Sequence, residues 1–113
     1  MNITQEISGF FTAYDHQVLT VSTSPVGFDA AKLRPQTDAN QRDQGPARLL
    51  LVTVDSVNSL RYTIDGTTPV AGTTGHVLNN GDAITLANFQ AMLTFRAVRE
   101  GGADSKLQIT YLR

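Results

Sequence analysis

Apolar and polar residues alternate along most of the second half of the chain, in short segments separated by turn-forming residues. An alternation of period two is typical of a half-buried β-strand, because successive side chains point to opposite faces of a sheet. The pattern predicts strands within SLRYTIDG, GTTGHVL, NNGDAITL, AMLTFRAVR and KLQITYLR. It predicts these inward-facing side chains: Leu60, Tyr62, Ile64, Ile84, Leu86, Leu93, Phe95, Ala97, Leu107, Ile109 and Tyr111.

Glycine, asparagine and aspartate mark the turns between these strands. Asp65-Gly66 and residues 100–104 supply tight turns, since glycine and aspartate tolerate turn backbone conformations. The run Asn79-Asn80-Gly81 predicts a type I′ hairpin, because that turn needs φ above zero at its central positions. The hairpin would pair the strand before it with the strand after it.

The first half of the chain predicts fewer elements. Residues 17–24 are rich in β-branched side chains and end at Pro25, which predicts a strand. The run AAKLRP predicts a short extended piece that Pro35 terminates. Residues 47–56 are apolar on both faces, which is typical of a central strand or of one whose outer face is covered. Helix is expected only in the N-terminal segment and around residues 88–91.

About eight short strands separated by regular turns predict an all-β protein. The expected fold is a single-domain antiparallel β-sandwich or jelly-roll-like barrel over residues 16–113, preceded by an N-terminal arm over residues 1–15. A chain of 113 residues is long enough to bury a core without disulfides or metals.

The N-terminal segment carries an apolar stripe. Ile3, Ile7, Phe10, Phe11 and Tyr14 recur at spacings close to one helical face. Two interpretations stay open: the segment packs on its own domain, or it is an arm that docks on a neighbouring subunit.

A long polar loop is predicted over residues 36–46, where Ala39 is the one apolar residue before Pro46. A loop this polar belongs on the surface, where it is either solvated or held by a partner.

Composition excludes several function classes. The formal net charge is -1 and the lysines are Lys32 and Lys106 alone, so the clustered positive charge that nucleic-acid binding needs is missing. There is no cysteine, which excludes thiolate catalysis, disulfides and Cys-ligated metals. No apolar run approaches the roughly 20 residues that span a bilayer, and the N-terminus lacks the pattern of a signal peptide. We expect no nucleic-acid or membrane partner.

No motif in the chain predicts a reaction centre. His16 and His76 are the two histidines, and joining His76 to Asp65 or Asp82 gives no recognised metal-ligand spacing. The serines lack a nucleophile-elbow sequence. Four aspartates fall at strand ends, where we expect their carboxylates to accept turn backbone N–H groups: Asp55, Asp65, Asp82 and Asp104. The prediction is a protein without enzymatic activity, metal, cofactor or small-molecule substrate.

Two resemblances bear on function. The segment YTIDGTTP resembles a piece of the accessory β-sandwich domains of chitin-degrading enzymes, which suggests a carbohydrate-binding module. A broader likeness covers most of the chain: VLTVSTSPVGFDAAKL, ARLLLVTVDSVNSLRYTIDGTTPVAGTTGHVLNNGDAITL and FRAVREGGADSKLQITYLR resemble small structural proteins of tailed bacteriophages. Val70 departs from that pattern, in which threonine is usual.

The phage resemblance implies a capsid decoration (cement) protein on the virion surface, assembled in the host cytoplasm. Its partners would be the major capsid protein and copies of itself, as a trimer or dimer. Candidate partner-binding residues are Ile7, Phe10, Phe11 and Tyr14 on the arm and Arg34, Arg42 and Arg48 beside the polar loop. For each arginine, a solvated charge at a strand edge is the alternative. A head–tail connector, tail or fibre-base protein is the alternative position in the particle.

Overall fold

The computed structural model describes residues 11–35 and 45–113, which form seven strands and two short helices. In chain order these are β1 (Ala13–Val21), α1 (Ala30–Leu33), β2 (Leu49–Val54), β3 (Leu60–Thr63), β4 (His76–Leu78), β5 (Ala83–Leu86), α2 (Phe89–Thr94), β6 (Arg96–Arg99) and β7 (Ser105–Leu112).

The strands form two antiparallel sheets. The larger sheet has the order β1-β7-β2-β5 and the smaller has the order β4-β3-β6. Val26 extends the smaller sheet by exchanging backbone hydrogen bonds with Ala97 of β6. The predicted single-domain all-β antiparallel fold is confirmed, and of the two architectures left open the open sandwich is the correct one.

The core lies between the two sheets. Inward residues of β7 lie directly opposite those of β2, in the pairs Leu107–Val54, Ile109–Val52 and Tyr111–Leu50, and all of these side chains are buried. From the smaller sheet and its flanks comes an aromatic stack, in which the Phe95 ring lies 4.3 Å from the Phe28 ring and 5.6 Å from the Tyr62 ring between centroids. Period-two burial therefore holds through the centre of the fold, as the pattern predicts.

The predicted hairpin at residues 79–81 is wrong. β4 pairs with β3 in the smaller sheet, whereas β5 pairs with β2 in the larger one, so the turn carries the chain between sheets. Gly81 alone in this turn has positive φ, at 85°, which rules out a type I′ turn. The Asp82 carboxylate accepts a hydrogen bond from the Asn79 backbone N–H at 2.8 Å. A strong local turn signal does not determine which sheet each flanking strand joins.

One of the two short helices differs from the prediction. Residues 30–33 form α1 rather than an extended piece, because the Asp29 carboxylate caps the helix by accepting from the Ala31 N–H at 2.9 Å. Residues 89–94 form α2, which Asn88 caps through the Ala91 N–H, so the helix expected around residues 88–91 is present and extends to Thr94. Leu93 consequently lies 42% exposed instead of inward.

The inward side-chain directions predicted for β3 agree with the structure only up to Tyr62. The strand ends at Thr63, whose buried hydroxyl donates to the Thr67 carbonyl, and Ile64 beyond it is exposed rather than inward. A chain that turns at the end of a strand no longer follows the period-two rule.

We expect Phe95→Ala to lower the free energy of unfolding by about 3–5 kcal/mol, because it removes the middle ring of the aromatic stack and leaves a cavity. Leu93→Ala, two residues earlier, removes an exposed side chain and should cost less than about 1 kcal/mol. Urea denaturation measures both. Equal losses in the two variants would contradict the burial described for Phe95.

Candidate protein-binding site

One end of the larger sheet gathers most of the described candidate residues. There the backbones of Thr12 and Arg113 exchange hydrogen bonds of 2.9 and 3.0 Å, which continue the pairing of β1 with β7. We define the aromatic–arginine patch as the residues around this junction: Phe11, Tyr14, Arg34, Arg48 and Arg113.

Tyr14 owes its position to a β-bulge. Ala13 lies opposite Leu112 and Asp15 opposite Tyr111, so Tyr14 is an extra residue in β1. Its hydroxyl donates to the Lys32 carbonyl at 2.6 Å, and its ring lies 6.2 Å from the Tyr111 ring. Burial raises the pKa of Tyr14, and the neighbouring Arg113 guanidinium partly opposes this rise. The tyrosine is therefore held at both ends of its side chain.

Two arginines lie over aromatic rings. The Arg113 guanidinium is 4.2 Å from the centroid of Tyr14, and the Arg48 guanidinium is 5.0 Å from that of Phe11. Cation–π contacts of this kind contribute about 0.5–1 kcal/mol at exposed sites and more when a partner removes water. Such rings and guanidiniums are the groups that most often dominate protein–protein binding energy.

Backbone hydrogen bonds bring the other arginines to the same place. The Arg48 N–H donates to the Leu112 carbonyl at 2.8 Å, and the Ala47 N–H donates to the Leu33 carbonyl at 2.7 Å. The second bond sets Arg34, just after α1, beside the start of β2. Arg34 and Arg48 are both exposed, so the patch presents cationic groups to solvent.

An ion pair borders the patch. Lys32 Nζ lies 2.9 Å from Asp15 Oδ2, and this hydrogen bond, together with a second one from the His16 N–H, lowers the pKa of Asp15. The pair joins α1 to β1.

The predicted partner-binding residues thus divide into two groups. Phe11, Tyr14, Arg34 and Arg48 come together, whereas Ile7, Phe10 and Arg42 lie outside the described residues. Residues 13–15, predicted as the end of the arm, belong to β1. Arg113 was not predicted. Its proximity to Tyr14 follows from the pairing of β1 with β7, and neither strand carries a local signal for its partner.

The two histidines and Tyr62, considered above as metal ligands or as a sugar-binding ring, make contacts within the fold. His16 contacts Gln108 and Thr110 side chains on β7, and the His76 ring lies 5.4 Å from the Tyr62 ring. Among residues 11–35 and 45–113, no three His, Asp or Glu side chains converge as metal ligands. Tyr62 is half-buried between His76 and Phe95, so its ring is not an open platform for a sugar.

The prediction that aspartates accept turn backbone N–H groups is confirmed for two of the four residues. Asp65 and Asp82 accept turn backbone N–H groups from Thr67 and Asn79, as expected. Asp55 instead accepts from the Gln108 amide and lies near Lys106, and Asp104 pairs with Arg99, so the turn prediction is wrong for these two. The difference arises because a neighbouring strand supplies a charged or amide partner at both places.

An open cleft lies on the outer face of the smaller sheet. It has a volume of about 400 Å³ and is lined mainly by Pro25, Pro69, Val70, Ala71 and Val98, with Arg99 at its rim. The cleft is open and its lining is mainly apolar, whereas small-ligand sites are usually enclosed and combine an apolar lining with a few precisely placed polar groups.

Helices in the described part of the chain are all too short to cross a membrane. Comparison with protein-family models, curated proteins and solved structures gives no match. Function is therefore proposed from the residues of the patch and from the sequence motifs.

We expect Asp15→Asn to weaken the pH dependence of stability in acid. The folded-state pKa of Asp15 lies below its ordinary value of 3.8, so its stabilisation is present above about pH 4 and is lost as pH falls through the folded pKa. The effect should be about 0.5 kcal/mol or less, because the pair is largely solvent-exposed.

Chemical denaturation at a series of pH values from about 5 down to about 2 measures this difference. Lys32→Met removes the main cause of the shift and should flatten the curve similarly. An unchanged pH profile in both variants would show that the ion pair does not stabilise the fold.

Proposed function

We propose that this chain is a non-enzymatic virion structural protein, which decorates and stabilises a phage capsid by binding the capsid protein through its aromatic–arginine patch. The single observation that carries the proposal is the convergence of Phe11, Tyr14, Arg48 and Arg113 at one end of the larger sheet.

The chemistry of the patch supports protein binding. Arg48 is exposed and Phe11 and Tyr14 are half-buried, so their rings are already held in place while part of each stays accessible. A side chain held before binding loses less conformational entropy when a partner docks. The exposed Arg48 guanidinium above the Phe11 ring can reach carboxylates or backbone carbonyls of the partner. A capsid surface rich in such acceptors fits this patch.

The phage assignment is supported by the sequence motifs. The segment from Arg61 to Leu86 and the FRAVR strand carry the resemblance to small phage structural proteins. In the fold these motifs form β3 to β6, and hence the smaller sheet and its crossing to the larger one. These two motifs serve as scaffold, and the patch lies outside them, although Arg48 and Arg113 fall within the broader likeness.

Copies of the chain are also proposed to associate with one another on the particle. A dimer or trimer on the repeating lattice of a capsid would engage several patches at once, and linked contacts of this kind bind far more tightly than each alone.

The experiment that tests this function uses phage particles produced by the host that carries the gene, with and without that gene. We expect the protein in purified particles at a high copy number, and we expect purified protein to bind particles assembled without it. Phe11→Ala and Arg48→Ala should each weaken that binding by about 2 kcal/mol, or roughly thirtyfold in Kd.

Matched controls are Val57→Ala and Arg99→Ala. Val57 is 86% exposed and lies beyond the far end of β2, and Arg99 pairs with Asp104 in the loop after β6. Both should bind particles as the wild type does. Absence of the protein from particles would overturn the phage assignment, and equal losses in all four variants would overturn the role of the patch.

A further inference from the structure

The free edge of β1 is the longest unpaired strand edge in the described part of the chain. β1 is nine residues long and lies at the end of the order β1-β7-β2-β5. β5 forms the opposite edge of that sheet with four residues. A free edge presents backbone N–H and C=O groups that another strand can bind.

Hydrogen-bond alternation identifies the groups that face outward. Arg113, which directly follows β7, exchanges backbone hydrogen bonds with Thr12 on the β1 side. On the β2 side, the Leu112 and Lys106 carbonyls accept from the backbone N–H groups of Arg48 and Asp55. Odd-numbered residues of β7 therefore bond to β1 and even-numbered ones to β2. The β1 residues opposite these odd-numbered residues of β7 are also odd-numbered: Asp15, Gln17, Leu19 and Val21. His16, Val18 and Thr20 consequently direct their backbone groups to the free edge.

These edge residues are open to solvent. His16, Val18 and Thr20 are all exposed, with Val18 at 54%. The His16 N–H donates to the Asp15 carboxylate at 2.8 Å, which occupies one of the edge donors. The stretch from Gln17 to Val21 contains neither a charged residue nor a proline. It therefore lacks the side chains that usually prevent an edge strand from pairing with another chain.

We propose that β1 pairs antiparallel with β1 of a second copy, about a two-fold axis at Val18, to make one continuous sheet through both molecules. This inference deepens the self-association within the proposed function and names the surface that carries it. Val18 would lie opposite Val18 of the second copy, and His16 opposite Thr20.

A second copy fits this edge better than an unrelated strand for two reasons. In the Val18 register all three outward-facing residues meet outward-facing residues of the other copy, and no like charges lie opposite one another. The outer face of the sheet beside this edge is also nearly uncharged: Leu51, Thr53, Thr85, Gln108 and Thr110, with Lys106 and Asp55 close to each other at one end. Two such sheets can join without electrostatic repulsion.

Proline substitution tests the edge without breaking the sheet. In Val18→Pro the lost N–H faces outward, so the β1–β7 ladder keeps its hydrogen bonds while the edge loses a donor. Thr85→Pro is the matched control, because the backbone N–H of Thr85 likewise points away from the neighbouring strand, at the β5 edge of the same sheet. Thermal unfolding checks that both variants fold.

Sedimentation from about 1 μM to about 1 mM measures association over the range in which small interfaces bind. We expect wild type and Thr85→Pro to dimerise, and Val18→Pro to dimerise at least tenfold more weakly.

Charge pairing tests the register. Val18→Lys and Val18→Glu place like charges opposite each other in each homodimer, and a mixture of the two places opposite charges there. The mixture should therefore associate about fivefold more tightly than either variant alone. Val77→Lys is the charge control, since Val77 is an exposed strand valine of the smaller sheet and should leave association unchanged.

A wild type that stays monomeric at every concentration overturns the inference, as does association that Val18→Pro leaves intact. If the mixture of lysine and glutamate variants gains nothing, the Val18 register is wrong. These outcomes are separate from the particle test, because loss of dimerisation with retained binding to particles overturns the edge pairing alone, and retained dimerisation without particle binding overturns the capsid role alone.

Discussion

The antiparallel pairing of β1 with β7 is the contact on which the other features of the molecule depend. It joins residues from near the start of the chain to its last strand, from Thr12 opposite Arg113 to Val21 opposite Ser105. The same pairing brings Arg113 over Tyr14, supports Tyr111 against Gln17 through a 2.5 Å hydrogen bond, and leaves the other edge of β1 facing solvent. Both proposed interaction surfaces are therefore consequences of one strand pairing, and the core inside it is the support that holds them rigid.

The parts of the fold that sequence predicts correctly are those set by short-range pattern. Alternation identifies the inward faces of β2 and β7, because burial on one face of a strand is a local property of every second residue. Pairing between strands is not local. The residues around Gly81 have the composition of a hairpin turn, yet the strands on either side belong to different sheets. The helix α1 is missed for a related reason, since about four residues of mixed polarity fit a period of two as well as one of 3.6.

The site shows the same division. Adjacent aromatics near the N-terminus and arginines beside a polar loop are visible in the sequence, and Phe11, Tyr14, Arg34 and Arg48 do lie together. What the sequence does not show is why they lie together, because the reason is the bulge at Tyr14 and the bond from Ala47 to Leu33. Arg113 could be assigned to the patch only once the partner of the last strand was known.

The order of strands also has a consequence for synthesis. β7 is made after β1 and β2, yet it lies between them in the larger sheet. Until β7 leaves the ribosome, β1 has no neighbour among the described strands, and β2 has β5 alone among them. The larger sheet therefore cannot grow in the order in which its strands appear, and its assembly waits for contacts between distant parts of the chain, which is the kind of topology that folds slowly. During that interval β1, whose residues from Gln17 to Val21 carry no charge, has both edges open, and pairing with another nascent copy would compete directly with folding.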